Sequence, residues 1–409
     1  MRAVVVGAGM VGLSTAWFLQ ERGVEVTVVD RTGVAAGASW GNAGWVTPSF
    51  AVPLPEPAML RTGLRSLLSP ASPLYIPPRA DPRLVQFLLT LARNCTHRRW
   101  QVAMSALAPL NHRALAAFDA LGEGGVREPT TRSDQFILAA ESRAQLQGVV
   151  AELEQVRAAG QKVDYRFVDG PEVQELEPAL SSRIGSAVVL GSQRYINPGD
   201  FVVSLADSVR VRGGKILEGV LVRAVHDDGS GVRVETTAGS LAGDVTVLAA
   251  GAWLGRLARG FGVRMPVQAG RGYSFTVTGG VLPSGPTYFP GRRAVCTPLG
   301  EGRVRISGMM EFAAPDQPLD ARRIAAIIAQ ASPMLRDIDW DGRTDEWVGP
   351  RPCTTDGLPL IGPTRSPRVF VNGGHSMWGV TLGPISGQLL AEAVTGRAPA
   401  ELPALHPLR

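Results

Sequence analysis

The segment Gly7-Ala8-Gly9-Met10-Val11-Gly12 constrains this chain more than any other. It follows Arg2-Ala-Val-Val-Val6, a β-branched run suited to a strand buried on both faces. It opens a stretch in which Val11, Leu13, Ala16, Trp17 and Leu19 recur at helical spacing, until Gly23 stops the helix. Val24 to Val29 then begins a second strand that ends at Asp30, 18 residues beyond Gly12. Strand, glycine triplet, helix, strand and acid make a βαβ unit in which each glycine has a physical task. The first permits a tight turn, the second lets a pyrophosphate approach the backbone, and the third lets helix and strand pack closely. The helix start favours negative charge, and Asp30 would accept hydrogen bonds from a ribose. The motif alone does not separate NAD from FAD.

With 409 residues, 45% hydrophobic and 19% charged, the chain buries a substantial core, and its length points to two domains. Its 41 basic residues against 36 acidic leave a formal charge of only +5, and Lys162 and Lys215 are the sole lysines. The arginines are spread without a block, which argues against nucleic acid as a partner and leaves compact anionic ligands open. Cys95, Cys296 and Cys353 lie far apart, with no C-x-x-C pair, so neither a disulfide framework nor a metal site is expected. The apolar start resembles a leader, but the glycine triplet interrupts it and no small-residue cleavage site follows. The cysteine pattern reads most simply as that of a reducing cytoplasm, and no apolar run is long enough to predict a spanning helix.

Further along, residues 46–78 carry eight prolines and predict an irregular excursion. Helical spacing covers Leu84–Leu91, Ala103–Leu121 and Ala144–Ala159, with strands at Gln135–Ala139 and over 186–196. Asn197-Pro198-Gly199-Asp200 signals a helix over Phe201–Val211. Three short strands are expected between Lys215 and Val247, the last running into Leu248-Ala249-Ala250-Gly251. Val267–Val277, Ala294–Pro298 and Val304–Ser307 read as strands of another sheet, followed by a helix over Asp320–Ala331. A final βα unit pairs Val369–Val371 with Gly383–Val394. Because the first and last βα units fit one parallel sheet, the nucleotide domain is expected to be discontinuous.

The chain resembles the FAD-dependent D-amino-acid oxidase and glycine oxidase superfamily, and within it the bacterial D-amino-acid dehydrogenases. The resemblance runs end to end and rests on residues 7–12, Gly41-Asn42-Ala43-Gly44 with Pro48, Arg93-Asn94-Cys95, Gly272-Tyr273-Ser274 and Gly308-Met309-Met310-Glu311. It continues through Gly349-Pro350-Arg351-Pro352, Thr355-Asp356-Gly357 and Gly373-Gly374-His375. The resemblance implies an α/β fold: a discontinuous Rossmann-like FAD-binding domain (1–50, 196–265, 344–409) and an α+β substrate domain with a mixed sheet (51–195, 266–343).

It also implies roles. Gly7, Gly9, Met10, Val11, Gly12, Asp30 and Arg31 would hold the dinucleotide, and Val222 would meet the adenine through its main chain. Ser39, Ala43, Gly44 and Trp45 match the loop along the pyrophosphate and one side of the isoalloxazine, although Trp45 could equally anchor the proline-rich excursion. Ala250, Gly251 and Trp253 follow a strand ending in small residues, which contacts FAD in similar enzymes and would look the same as an ordinary buried strand end. Gly379, Val380 and Thr381, at the start of the last helix, would face the flavin's pyrimidine edge and stabilise its anionic charge. Ser376 and Met377 stand where D-amino-acid oxidases tend to have glycines. Arg351 matches the arginine that forks onto a substrate carboxylate, a task suited to a planar cation that never deprotonates. Tyr273 and Tyr288 are candidates for closing the pocket, and His375 is grouped with them without being assigned as a base. Cys353 lies near where sarcosine oxidases attach flavin, but the rest of that motif is missing.

The expected activity is oxidative deamination of a free amino acid of D configuration. Hydride would pass from Cα to flavin N5, and the imino acid would hydrolyse to a keto acid and ammonia. Neither lysine falls in a flavin-facing motif, so the favoured acceptor is a quinone rather than oxygen. The apolar stretch Leu67–Pro78 would then touch a membrane peripherally or cover the site. The alternatives are a sarcosine-, proline- or hydroxyproline-type secondary amine oxidase or dehydrogenase, and a non-catalytic flavin-binding subunit.

Overall fold

The computed structural model describes residues 1–57, 59, 69–78 and 80–409. The glycine-bearing βαβ unit forms as its spacing predicts, with strand Arg2–Val6, helix Met10–Gln20 and strand Glu25–Val29. Those strands lie in a six-stranded sheet ordered Lys215–Leu217, Glu25–Val29, Arg2–Val6, Val245–Leu248, Val369–Gly373 and Leu360–Pro363. The first five run parallel and Leu360–Pro363 closes the edge antiparallel. Val4, Val5 and Val6 are all buried, as expected for a strand covered on both faces.

One face of this sheet is covered by Met10–Gln20, Pro198–Val211 and Gly379–Val394. Helix His97–Glu123 packs on that layer too, burying Trp100, Met104 and Leu107 in the same core. The other face is covered by a meander, Val222–Asp227, Val232–Thr236 and Gly239–Gly243. The span from Lys215 to Leu248 therefore holds five strands where three were expected. The extra breaks are tight: Asp228 turns the chain by accepting from the Ser230 and Gly231 amides at 3.2 and 2.8 Å.

The second large sheet has nine strands. Its path runs Ile338–Thr354, Val267–Gly279, Arg303–Phe312, Ala294–Gly300, Thr287–Phe289, Phe136–Ala140, Ser186–Leu190 and Tyr165–Asp169, with Leu74–Tyr75 beside Arg303–Phe312. A small fourth sheet joins Trp45–Val46, Gln193–Tyr195 and Thr131–Ser133. The 17-residue strand Ile338–Thr354 pairs along Val267–Gly279, so residues 344–354 lie in the mixed sheet rather than with the parallel one. The sequence concealed this strand because it is a charged edge whose Asp339, Asp341, Asp345 and Glu346 face water.

Of the apolar stretch Leu67–Pro78, Leu67 and Leu68 lie outside the described residues. Within the rest, Leu74 and Tyr75 pair with Met310 and Glu311, and Ser72 and Tyr75 are buried. Fully buried Arg323 anchors it by donating to the carbonyls of Pro70, Ser72 and Met310. Replacing Arg323 by methionine keeps the bulk but strands those carbonyls, and we expect a loss of about 3 kcal/mol, read as a lower urea midpoint. No described helix is long and apolar enough to cross a membrane, and no group of three potential ligands among the described residues could hold a metal ion.

Candidate active site

The glycine triplet sits where the parallel sheet meets its helix layer, and the close approaches there need the missing side chains. A Cβ on Gly7, whose φ is +118°, would lie 2.4 Å from the Ala249 carbonyl oxygen, and one on Gly12 would lie 2.0 Å from that of Gly7. Asp30 is fixed by three backbone amides, from Ala8 at 2.9 Å, Thr32 at 2.9 Å and Gly33 at 3.1 Å. A carboxylate with those partners still has acceptor capacity to spare. Ser39 Oγ caps the Met10 amide at 3.0 Å, and Asn42 folds the next loop by accepting from Gly44 N at 2.7 Å.

These residues open onto a cavity of about 1080 Å³. That is as large as a drug-sized ligand pocket becomes, and it suits a dinucleotide with a small substrate. Gly7, Gly9, Met10, Val11, Gly12, Asp30, Arg31, Ser39, Ala43, Gly44 and Trp45 line it, as do Val222, Ala250, Gly251, Trp253, Tyr288, Arg351, His375, Gly379 and Val380. At one end the Arg31 guanidinium stacks 3.7 Å from the Trp253 ring centre, and Asp316 holds both, at 2.7 Å from Arg31 and 2.9 Å from Trp253 Nε1. Asp316 had no sequence signal, since it comes from a loop of the other sheet. The Val222 carbonyl accepts from Arg256 at 3.1 Å, at a bulge in the meander.

Two residues expected at the site are not in it. Thr381 is buried and does not line the cavity; its hydroxyl donates to the Trp45 carbonyl at 2.9 Å and accepts from Thr47 N at 3.3 Å. It ties the last helix to the Trp45 strand. Tyr273 is also outside, for reasons of parity: it alternates with Gly272 and Ser274 along one strand and projects from the opposite face. There its hydroxyl donates to Glu311, beside Arg271 and Arg323. Burial first, and that hydrogen bond second, push its phenol above the ordinary tyrosine range. Trp45 lines the cavity, and what holds it is the mixed sheet rather than the proline-rich excursion: Nε1 donates to Thr297 at 3.0 Å and its ring meets Phe136 and Tyr288 edge-on.

Arg351 reaches the cavity by lying across Gly272. A Cβ on Gly272 would be 2.2 Å from the guanidinium, so this glycine is the floor on which the side chain rests. Arg351 Nη1 donates to the Met309 carbonyl at 3.1 Å, from a residue held at φ +60°. Burial lowers the guanidinium's affinity for its proton without discharging it, which leaves a desolvated cation facing the cavity. Gly272→Ala should displace that fork, and we expect KM for a carboxylate substrate to rise at least ~10-fold with cofactor content retained. Nearby Cys353 is buried and outside the cavity lining, and burial pushes its thiol up to about 12, despite Arg351.

His375 is buried beside the start of the last helix. Ser386 Oγ donates to the Leu382 carbonyl at 2.6 Å and so accepts from His375 Nε2 at 2.8 Å. This fixes the tautomer and leaves Nδ1 a bare, buried acceptor on a cavity-lining residue. Burial pulls the imidazole down to about 3, so the ring is neutral across the physiological range. The unfolded chain takes that proton near 6.5 and the folded chain near 3, so this stability is lost as pH falls between those values. From pH 6.5 to 4 the wild-type urea midpoint should fall more steeply than that of His375→Gln, by roughly 3 kcal/mol.

The family described as FAD dependent oxidoreductase matches residues 2–393. The chain belongs to this family. A D-amino acid dehydrogenase of Rhizorhabdus wittichii is 31% identical, covering 98% of this chain and 97% of that relative. Another, from Phenylobacterium zucineum, is 32% identical over 98% of this chain and 95% of its own length. The fold of this oxidoreductase is that of glycine oxidase from Bacillus cereus, with a TM-score of 0.73, 22% identity, and coverage of 99% of this chain and 98% of that one. The residues present fit FAD: the Gly7 and Gly12 cradle has no room for a side chain, and Nδ1 of His375 and Oγ of Ser376 are buried polar atoms without partners on the cavity wall.

Proposed function

We propose that this oxidoreductase deaminates a free amino acid of D configuration, giving an imino acid that hydrolyses to a keto acid and ammonia. The observation that carries this reading is a half-buried arginine, Arg351, laid across Gly272 in the same cavity as the glycine cradle. FAD supplies the two-electron acceptor when bound. Gly7, Gly9, Gly12 and the amides of the helix start would hold its pyrophosphate, Asp30 its ribose, and His375 Nδ1 a donor on its ring system. Arg351 would take both carboxylate oxygens and fix the substrate's Cα, while buried Tyr288 and half-buried Trp45 exclude water. With His375 neutral and bonded to Ser386, the chemistry rests on placement rather than on a dedicated base.

In this reading the dinucleotide belongs to 1–50, 196–265 and the chain beyond the mixed-sheet strand that ends at Thr354, and the substrate end to 51–195 and 266–354. Relatives named D-amino acid dehydrogenase, matched over nearly their whole length, support the reaction class and an acceptor other than oxygen, which we take to be quinone-like. The test is product stoichiometry with a quinone or dye acceptor. One keto acid and one ammonia per two electrons supports the proposal. An aldehyde and a primary amine from a secondary amine such as sarcosine, with no D-amino acid turned over, would replace it.

A further inference from the structure

The same cavity is lined by a group of side chains that the cofactor reading does not use. Helix Arg143–Ala158 presents Gln145, Gly148, Val149 and Glu152 to it, positions spaced three and four apart on one helical face. Glu56, from the proline-rich excursion, lines it as well. From the mixed sheet come Tyr288 and Arg293, with Arg293 Nη1 donating to the Tyr288 hydroxyl at 3.2 Å. Tyr288 pairs across strands with Val295, and Val295 with Ser307, so the three share one face of the sheet. Ser307 is 3% exposed, lines the cavity, and its Oγ has no partner.

We propose that Glu56, Glu152, Tyr288, Arg293 and Ser307 form a side-chain subsite for an amino acid with a cationic terminus, an ammonium or a guanidinium. This rests on the proposed deamination, which puts the substrate carboxylate at Arg351. The argument is charge balance in a desolvated space: among the described residues named here, two carboxyls face one guanidinium. Burial raises both acids, Glu152 to about 8, where Glu56 adds to the effect and Arg293 opposes it. Without a ligand, a proton neutralises the surplus carboxylate; a substrate's cation replaces that proton and regains a charge-assisted pair. An anionic terminus would add a third negative group around an arginine already engaged by Tyr288. A purely apolar one would leave the second carboxyl and the Ser307 hydroxyl without a partner.

Three ligands with the same six-carbon chain and no α-amino group test the subsite independently of turnover: 6-aminohexanoate, hexanoate and adipate, titrated calorimetrically into the FAD-loaded protein. We expect 6-aminohexanoate to bind at least 10-fold more tightly than hexanoate, with adipate weakest, and Glu152→Gln and Glu56→Gln each to abolish that order. In turnover, the ratio of kcat/KM for D-lysine over D-norleucine should fall at least 10-fold in the same variants. Equal or tighter binding of hexanoate or adipate, or a preference that survives both substitutions, would overturn the subsite. If the binding order holds but neither amino acid reduces the flavin, the deamination reading fails and the subsite stands. Failure of all three acids to bind would overturn the subsite and the Arg351 carboxylate site together.

Discussion

Replacing Arg351 by alanine is expected to lower kcat/KM for the amino-acid substrate by roughly 1000-fold, about 4 kcal/mol, while FAD content stays at the wild-type level. The size follows from desolvation. Arg351 is half-buried on the cavity wall, and a carboxylate that binds beside it loses water and gains two parallel hydrogen bonds; without the guanidinium it loses water and gains nothing. The Met309 carbonyl would also lose its 3.1 Å donor. Lysine at this position keeps the charge but not the fork, and should recover only part of the loss. The measurement is steady-state kinetics with a dye acceptor, beside the 450 nm absorbance of the purified variant.

Gly7→Val should have the opposite signature: protein without yellow colour and with reduced stability. At φ +118° a β-branched residue is strained, and its Cβ would meet the Ala249 carbonyl oxygen at 2.4 Å. The strand end must move, and with it the helix start whose amides face the cavity. We expect FAD retained after gel filtration to fall below roughly a tenth of wild type, with destabilisation of about 2 kcal/mol or more. Absorbance at 450 nm relative to 280 nm reads the first quantity, and thermal unfolding the second. Loss of colour in Gly7→Val with its retention in Arg351→Ala separates the two ends of the cavity.

The glycine cradle was legible because its chemistry is local. Every part lies within thirty residues, and the strand, turn and helix periods announce themselves. Arg351 was legible only through its Gly-x-Arg-Pro setting, since nothing local marks one arginine among many. Its dependence on Gly272 comes from a strand pairing far along the chain. Tyr273 shows the same limit from the other side. Gly272 and Ser274 both face the cavity side, where Ser274 Oγ holds the Gly41 carbonyl, so the residue between them had to point away. Strand parity would have excluded it once the face of either neighbour was known.

Thr381 was misplaced by one residue's turn of helix. Gly379 and Val380 reach the cavity, whereas the Thr381 hydroxyl is turned inward to Trp45 and Thr47. Glu56, Glu152 and Arg293 left no signal at all, because a loop, a helix and a strand turn bring them together. On the sequence Glu152 is one more charge on an amphipathic helix. The edge strand over 338–354 was lost for a related reason: its charged, solvent-facing residues mask the period of two that the paired strand imposes.

The most direct test of the central claim, that Arg351 and the glycine cradle place a D-amino acid against FAD, is anaerobic rapid mixing of the FAD-loaded protein with matched D- and L-enantiomers. The absorbance near 450 nm is followed in time. The account predicts bleaching by the D-enantiomer, saturating with concentration and suppressed in Arg351→Ala, with little or none by the L-enantiomer. A flavin that no α-amino acid bleaches, or bleaching that ignores the loss of Arg351, would contradict it.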